Sequence, residues 1–197
     1  MSEKYDKKYY IDLRKNLKDK LSKSRYEHTL GVEFTSAALA MRYECDIDKA
    51  RIAGLLHDCA KCIDDDEKLS ECIKHNIEVN DFEKKCKSLL HSKLGAYYAG
   101  SIYDIDDEEI LNAIIYHTTG IANMTLLEKI VFVADYIEPS RNQAKNLTEI
   151  RKMSFINIDK AVLKILEDTL SYLTETSDVI DDGTWSSYNY YKSILNE

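Results

Sequence analysis

Three of the five histidines in this chain stand at the ends of apolar runs. His57 follows Leu55 and Leu56, His91 follows Leu89 and Leu90, and His117 follows Ala-Ile-Ile-Tyr at 113–116. Asp135 follows Ile-Val-Phe-Val-Ala in the same manner, and Asp58 is the immediate neighbour of His57. His28 shares a helix face with Val32 and, further on, Ala38 and Leu39. Apolar neighbours direct these groups towards a common core, where an unpaired ionisable side chain costs several kcal/mol. A single core histidine is usually hydrogen-bonded to a carbonyl or hydroxyl, and Asp135 alone could answer an arginine. Six such burials left unpaired would consume a stability of roughly 5–15 kcal/mol. One divalent cation, or two, satisfies them together. Imidazole nitrogen and carboxylate oxygen suit Zn, Mn or Fe, and the chain offers no thiolate set for a structural cysteine site. Neighbours on a helix point about 100° apart, which leaves two arrangements open for the adjacent pair. His57 and Asp58 hold one ion from two sides, or Asp58 bridges two ions while His57 binds one.

The elements that must position these groups are helical. The chain contains one proline, Pro139, and six glycines, fewer turn-formers than an all-β fold consumes. Tyr10, Leu13, Leu17 and Leu21 mark an amphipathic helix within 5–22. A second helix is expected after Ser24 as N-cap. Asp46 or Asp48 caps a third, running through KARIAGLLHDCAK. The acidic run at 64–67 caps EKLSECIKHN, and Asn80 or Asp81 opens a stretch that breaks near Leu90. The acidic run at 104–109 supplies the first turn of ILNAIIYHTT, as the helix dipole favours. Thr125 caps LLEKIVFVADYIE, which Pro139 stops, and a long helix from about Asn157 to Thr176 precedes the aromatic tail TWSSYNYYKSIL. There is no repeat and no low-complexity linker. The expectation is one all-α domain over 1–197, with a core at about 20–140 and C-terminal helices from about 147 to 197 packed on it.

Composition excludes several functions. A net charge of −8 and a pI near 5.2 disfavour a nucleic-acid binder that neutralises many phosphates, although bound metal can reverse the field locally for a small phosphate-bearing substrate. No apolar run of about twenty residues offers a membrane span, and the charged N-terminus lacks a signal-peptide core. The five cysteines, an odd number, read as reduced cytosolic thiols. A cytoplasmic protein without nucleic-acid or membrane partners is therefore expected, with a homodimer left open.

The order H…HD…D, here His28, His57–Asp58 and Asp135, resembles the HD-domain metal-dependent phosphohydrolase superfamily. His91 and His117 between them match its members that bind two metals. The wider pattern is RYEHTLGV (25–32), AGLLHDCAK (53–61), LLHSKLGAYYA (89–99), AIIYHTTG (113–120) and EKIVFVADYIEPSR (128–141). Together these segments are similar to the bacterial HD-type symmetrical bis(5'-nucleosyl)-tetraphosphatases over roughly residues 10–175. The resemblance implies a helical HD-domain bundle, an iron-containing site, and hydrolysis of diadenosine tetraphosphate into two ADP. It also implies that His28, His57, Asp58 and Asp135 hold one ion, and that His91 and His117 hold a second with Asp58 bridging. Gly31, His91, Ser92, Lys93 and Leu94, with Asp135, Tyr136, Ile137, Glu138, Pro139, Ser140 and Arg141, would line the nucleotide site around His28, Asp58 and His117. Manganese and zinc suit the same ligands.

Those residue types fit phosphoanhydride cleavage. A metal-bound water acidified from about 15.7 towards 7 supplies a nucleophile. Metals and cations neutralise the transferring phosphoryl group, normally the largest catalytic contribution. Lys61, one turn beyond Asp58, together with Lys93 and Arg141, are the candidate clamps, arginine through its bidentate fork; a solvated surface charge is the alternative for each. Cys59 and Cys62 form a CxxC without a second pair. His75 follows no apolar run and is expected at the surface. Tyr97 and Tyr98 are expected in the core or rim, or stacked on an adenine. The same ligand set serves HD enzymes acting on nucleoside triphosphates, alarmones or cyclic nucleotides, and a non-catalytic nucleotide-binding module is the reading from a different class.

Overall fold

The computed structural model describes residues 5–176 and 180–195. Every regular element among them is helical. In chain order they are α1 (Lys7–Lys20), α2 (Lys23–Tyr43), α3 (Ile47–Leu56), α4 (Asp65–Lys74), α5 (Asp81–Lys85), a 3-10 turn (Lys87–Leu89), α6 (Leu90–Tyr103), α7 (Glu108–Tyr116), α8 (Leu126–Ile137), α9 (Leu147–Ser154), α10 (Ile158–Thr176) and α11 (Asp182–Leu195). None of the described helices is long and apolar enough to cross a membrane.

Capping chemistry sets most of the boundaries. Asp6, Asp46, Asp64 and Asp107 each accept a hydrogen bond from a backbone N–H in the first turn of the helix they precede. Asn80 and Thr125 form reciprocal capping boxes with Glu83 and Glu128. The second helix starts earlier than its sequence suggests: Ser22, not Ser24, accepts from Arg25 N–H. That places Arg25 in the first turn, one turn before His28. The break expected near Leu90 is the 3-10 turn.

Helix α8 is the central element. Leu127, Ile130, Val131, Phe132, Val133 and Ala134 are all buried, and a helix apolar nearly all round must be enclosed by its neighbours. α2, α7 and α10 pack against it. Helices α2 and α3 pack against each other along much of their length. Gly54 permits it, because a Cβ there would stand 3.1 Å from the Glu33 Cα and 3.0 Å from the Ser36 Oγ. Beneath this pairing Glu33, fully buried, takes Arg14 (2.6 and 2.8 Å) and Arg51 (2.8 and 3.1 Å). The carboxylate thus ties α1, α2 and α3 together. A small satellite core of Ala60, Cys72, Leu90 and Leu94 joins α4 to α6.

Two local expectations differ from the structure. Helix α3 ends at Leu56, and residues 57–62 form turns rather than continuing the helix to Lys61. The short helix α9 lies in a stretch where spacing had indicated no separate element. Its start follows Asn146, whose backbone is left-handed (φ 56°), and no side-chain cap announces it.

Candidate metal centre

Five elements bring six side chains to one point. α2 supplies His28, the turn after α3 supplies His57 and Asp58, and α6 supplies His91 from its first turn. The residue just beyond α7 is His117, and the last turn of α8 carries Asp135. All but Asp135 are at least nine-tenths buried. His57 Nε2 lies 3.3 Å from His28 Nε2, and His91 Nε2 lies 3.2 Å from His117 Nε2. Asp135 Oδ1 is 3.0 Å from His28 Nε2 and 4.0 Å from His57 Nε2. Asp58 sits between the two pairs: Oδ2 is 3.4 Å from His57 Nε2, while Oδ1 is 3.2 and 3.6 Å from Nε2 of His91 and His117.

Ring orientation follows from where each Nδ1 goes. His57, His91 and His117 each point Nδ1 at the carbonyl three residues back, on Gly54 (2.7 Å), Ser88 (2.5 Å) and Ile114 (2.7 Å). A carbonyl only accepts, so Nδ1 carries the proton and Nε2 presents a lone pair to the centre. This fixes two facing lone pairs between His91 and His117, an arrangement without attraction unless a cation lies between them. The spacing of 3.2–3.3 Å suits two nitrogens bound to one ion at about 2.1 Å each. Asp58 Oδ1 is buried and accepts no hydrogen bond of normal geometry, an orphan acceptor that also calls for a cation. The ligand atoms fall into three overlapping sets, His28–His57–Asp58, His57–His117–Asp135 and Asp58–His91–His117, each within 4.8 Å. The cluster is able to hold metal.

The charge states agree. Burial opposes ionisation of Asp58, but the polar ring of His57, His117 and His91 around it holds the carboxyl well below its usual range. Asp135 is likewise held down against burial, by the His28 hydrogen bond and the charge of Arg141. Burial drives His91 down to about 4, leaving its lone pair free at neutral pH.

A cavity of about 490 Å³ opens onto the cluster, with Arg25, Lys61 and Arg141 in its wall. Lys61 Nζ stands 3.2 Å from His91 Nε2, and burial lowers its pKa. Arg141 donates to Asp135 Oδ1 (2.9 Å) and to its backbone carbonyl (3.1 Å). Arg25, which sequence reasoning missed, donates to Asp58 Oδ2 at 2.6 Å. Thr118, also missed, places Oγ 3.0 Å from His117 Nε2. Neither follows an apolar run, so no periodic signal marks them. Ser140 and Glu138 border the same cavity.

Other residues expected at the nucleotide site lie elsewhere. Leu94 is fully buried in the satellite core and Ile137 in the main core. Lys93 pairs with Glu83 (2.9 Å) and the Glu78 carbonyl (3.0 Å), and with Ser92 it lines a separate cavity. Tyr136 donates to the Lys145 carbonyl, Pro139 lines neighbouring grooves, and Gly31 faces Glu138. Contiguous segments cannot turn every residue to one site, because successive helical side chains diverge by about 100°. Tyr97 stacks on His75 with ring centroids 4.3 Å apart, and His75 is hydrogen-bonded to Glu71 rather than free at the surface. Cys59 donates to the Gly95 carbonyl, away from the cluster, and burial pushes its thiol up to about 12.

Comparison with known proteins agrees with this architecture. The family model "HD domain" matches residues 25–140. A symmetrical bis(5'-nucleosyl)-tetraphosphatase of Halalkalibacterium halodurans is 38% identical over 88% of this chain and 91% of its own length. That of Bacillus subtilis is 34% identical over 90% of this chain and 94% of its own. The crystal structure of a protein from Clostridium acetobutylicum, described as a predicted HD superfamily hydrolase involved in NAD metabolism, superposes with a TM-score of 0.90. It is 39% identical and covers 94% of this chain and 97% of that one. The buried histidine–aspartate cluster, the helical scaffold and these likenesses converge: the chain belongs to the HD domain family.

Proposed function

We propose that the chain hydrolyses dinucleoside polyphosphates in the cytoplasm, cleaving diadenosine tetraphosphate symmetrically to two ADP, with one or two iron ions held by His28, His57, Asp58, His91, His117 and Asp135. The observation that carries the reading is the unpaired, buried Asp58 Oδ1 between two histidine pairs, of which His57, His91 and His117 have their lone pairs fixed inward. The names of the relatives supply the substrate class. The helices from α1 to α11 would serve as one domain around this site.

Metal bound by these six residues would supply a water acidic enough to attack at neutral pH and would neutralise phosphoryl charge. The protein's own groups do the rest. Symmetrical cleavage would place a water oxygen on one of the two central phosphorus atoms, while the oxygen bridging them would leave with the other ADP and the water's protons would pass to solvent. Arg25, Lys61 and Arg141 form the cationic wall for the polyphosphate in a chain of net charge −8, and their charge is worth most where water is excluded. Arg141 also orients Asp135, and Arg25 orients Asp58. The carbonyl anchors of His57, His91 and His117 hold three lone pairs in place before any ion arrives.

Metal-loaded protein assayed on a nucleotide panel tests this reading. ADP as the sole product of diadenosine tetraphosphate supports it. ATP plus AMP, or a much higher rate on a nucleoside triphosphate, an alarmone or a cyclic nucleotide, overturns it. Stoichiometric metal without hydrolysis of any nucleotide would instead make the chain a binding module.

A further inference from the structure

Among the four histidines of the cluster, His28 is anchored differently. Its Nδ1 lies 3.0 Å from Glu138 Oε1, where the other three meet backbone carbonyls. Glu138 is 1% exposed, and its carboxylate is held in place: Ser140 Oγ donates to Oε1 at 2.5 Å and Ser140 N–H donates to Oε2 at 2.7 Å. Gly31, one turn along α2 from His28, leaves the room, since a Cβ there would stand 2.3 Å from Oε2. Asp135 and Glu138 are three residues apart at the end of α8 and so share a face. One helical turn therefore grips both ring nitrogens of His28, with Asp135 at Nε2 and Glu138 at Nδ1.

We propose that Glu138 is a positioning residue of the metal centre, which keeps the proton of His28 on Nδ1 and makes the ion on the His28 side the more tightly held of two inequivalent ions. This rests on the reading that the cluster binds metal. A carboxylate behind an imidazole, unlike a carbonyl, places a full negative charge on the ring's far side and raises its basicity towards a cation. His91 and His117 have no such partner, and Lys61 stands beside His91 instead. The two ends of the cluster thus differ in what stands behind their imidazoles, a carboxylate at His28 and backbone carbonyls at His91 and His117, while Arg25 and Arg141 are taken up by Asp58 and Asp135. Both carboxylate oxygens of Glu138 are engaged within the protein, by His28 and Ser140.

Zinc, being diamagnetic, is the probe. Metal-free wild type, Glu138→Gln and Glu138→Ala are titrated with Zn(II) against a chelator, with circular dichroism as a check on folding. Glu138→Gln keeps the shape and an acceptor oxygen but removes the charge. The expected result is a 10- to 100-fold weakening of one ion, larger in Glu138→Ala, with the remaining binding as in wild type. Unchanged affinities in both variants, or equal loss of all binding in a folded Glu138→Gln, overturn the proposal. Wild type that binds no zinc would instead overturn the metal reading itself. Nitrogen-15 spectra of zinc-loaded wild type give a check that needs no variant: His28 must carry its proton on Nδ1, and a proton on Nε2 contradicts the proposal.

Discussion

Gly31→Ala separates the shell of the metal centre from the stability of the fold. The added Cβ would lie 2.3 Å from Glu138 Oε2 and 3.1 Å from Cδ, so about 1 Å of movement is needed to reach ordinary contact. The carboxylate has no free direction in which to move, because His28 and both donors of Ser140 hold it. Losing the bond to His28 costs about 1.5–3 kcal/mol, as for hydrogen bonds to charged groups, and crowding adds about 1 kcal/mol or more. Alanine inside a helix returns about 1 kcal/mol. The net loss of stability in metal-free protein is therefore about 1.5–3 kcal/mol, whereas metal affinity should fall about 10- to 100-fold. Gly100→Ala is the comparison. A Cβ there meets its nearest atom, the Ile105 carbonyl oxygen, at 3.5 Å, so it should gain about 1 kcal/mol from helix propensity with zinc binding unchanged. Urea denaturation and zinc titration against a chelator give both quantities. If Gly31→Ala bound zinc as tightly as wild type, the link from Gly31 through Glu138 to His28 would be refuted.

Two further outcomes follow from other parts of the molecule. Replacing Glu33 by Ala strands Arg14 and Arg51, which are about a quarter exposed. It should cost about 3 kcal/mol or more in thermal or urea unfolding while metal content per folded molecule stays at the wild-type value. In metal-free protein, burial holds His91 at about 4, while an unfolded histidine titrates near 6.5. Between these values only the unfolded chain takes up the proton, so His91 makes stability fall as pH falls through that window, by about 3 kcal/mol in all. His28 acts in the opposite sense: burial lowers its pKa, but Asp135 and Glu138 together raise it above the ordinary value. Its contribution is fully present below about 6.5 and is lost as pH rises through the raised value. The difference between wild type and His91→Asn in urea midpoint against pH therefore isolates His91, and parallel curves for the two would contradict the assignment.

Much of the centre was legible in the sequence because its chemistry conflicts with its surroundings. A histidine after Leu-Leu, or an aspartate after Ile-Val-Phe-Val-Ala, breaks an apolar run, and that break locates His57, His91, His117 and Asp135 without a structure. Arg25 breaks nothing. A cation in the first turn of a helix reads as surface, and only the pairing of α2 with α3 brings it 2.6 Å from Asp58. Glu138 was visible only as part of a segment, since its partner His28 lies 110 residues away. Helix boundaries failed where backbone geometry outranks pattern. The apolar period runs on past Leu56, yet the chain turns there, and that turn lets His57 and Asp58 face the same centre. α9 was missed because eight residues headed by a left-handed asparagine carry neither a long period nor a cap.

The central claim is that metal held by this buried cluster performs the chemistry, and Asp58, which stands 3.4 Å from His57 Nε2 and 3.2 Å from His91 Nε2, tests it most directly. Metal content of wild type and Asp58→Ala, purified without added metal, should be read beside their helical spectra and their hydrolysis of diadenosine tetraphosphate. The account predicts one to two equivalents and activity in wild type, and a folded variant that has lost activity and most of its metal. A folded Asp58→Ala that retains full activity and wild-type metal content would contradict it.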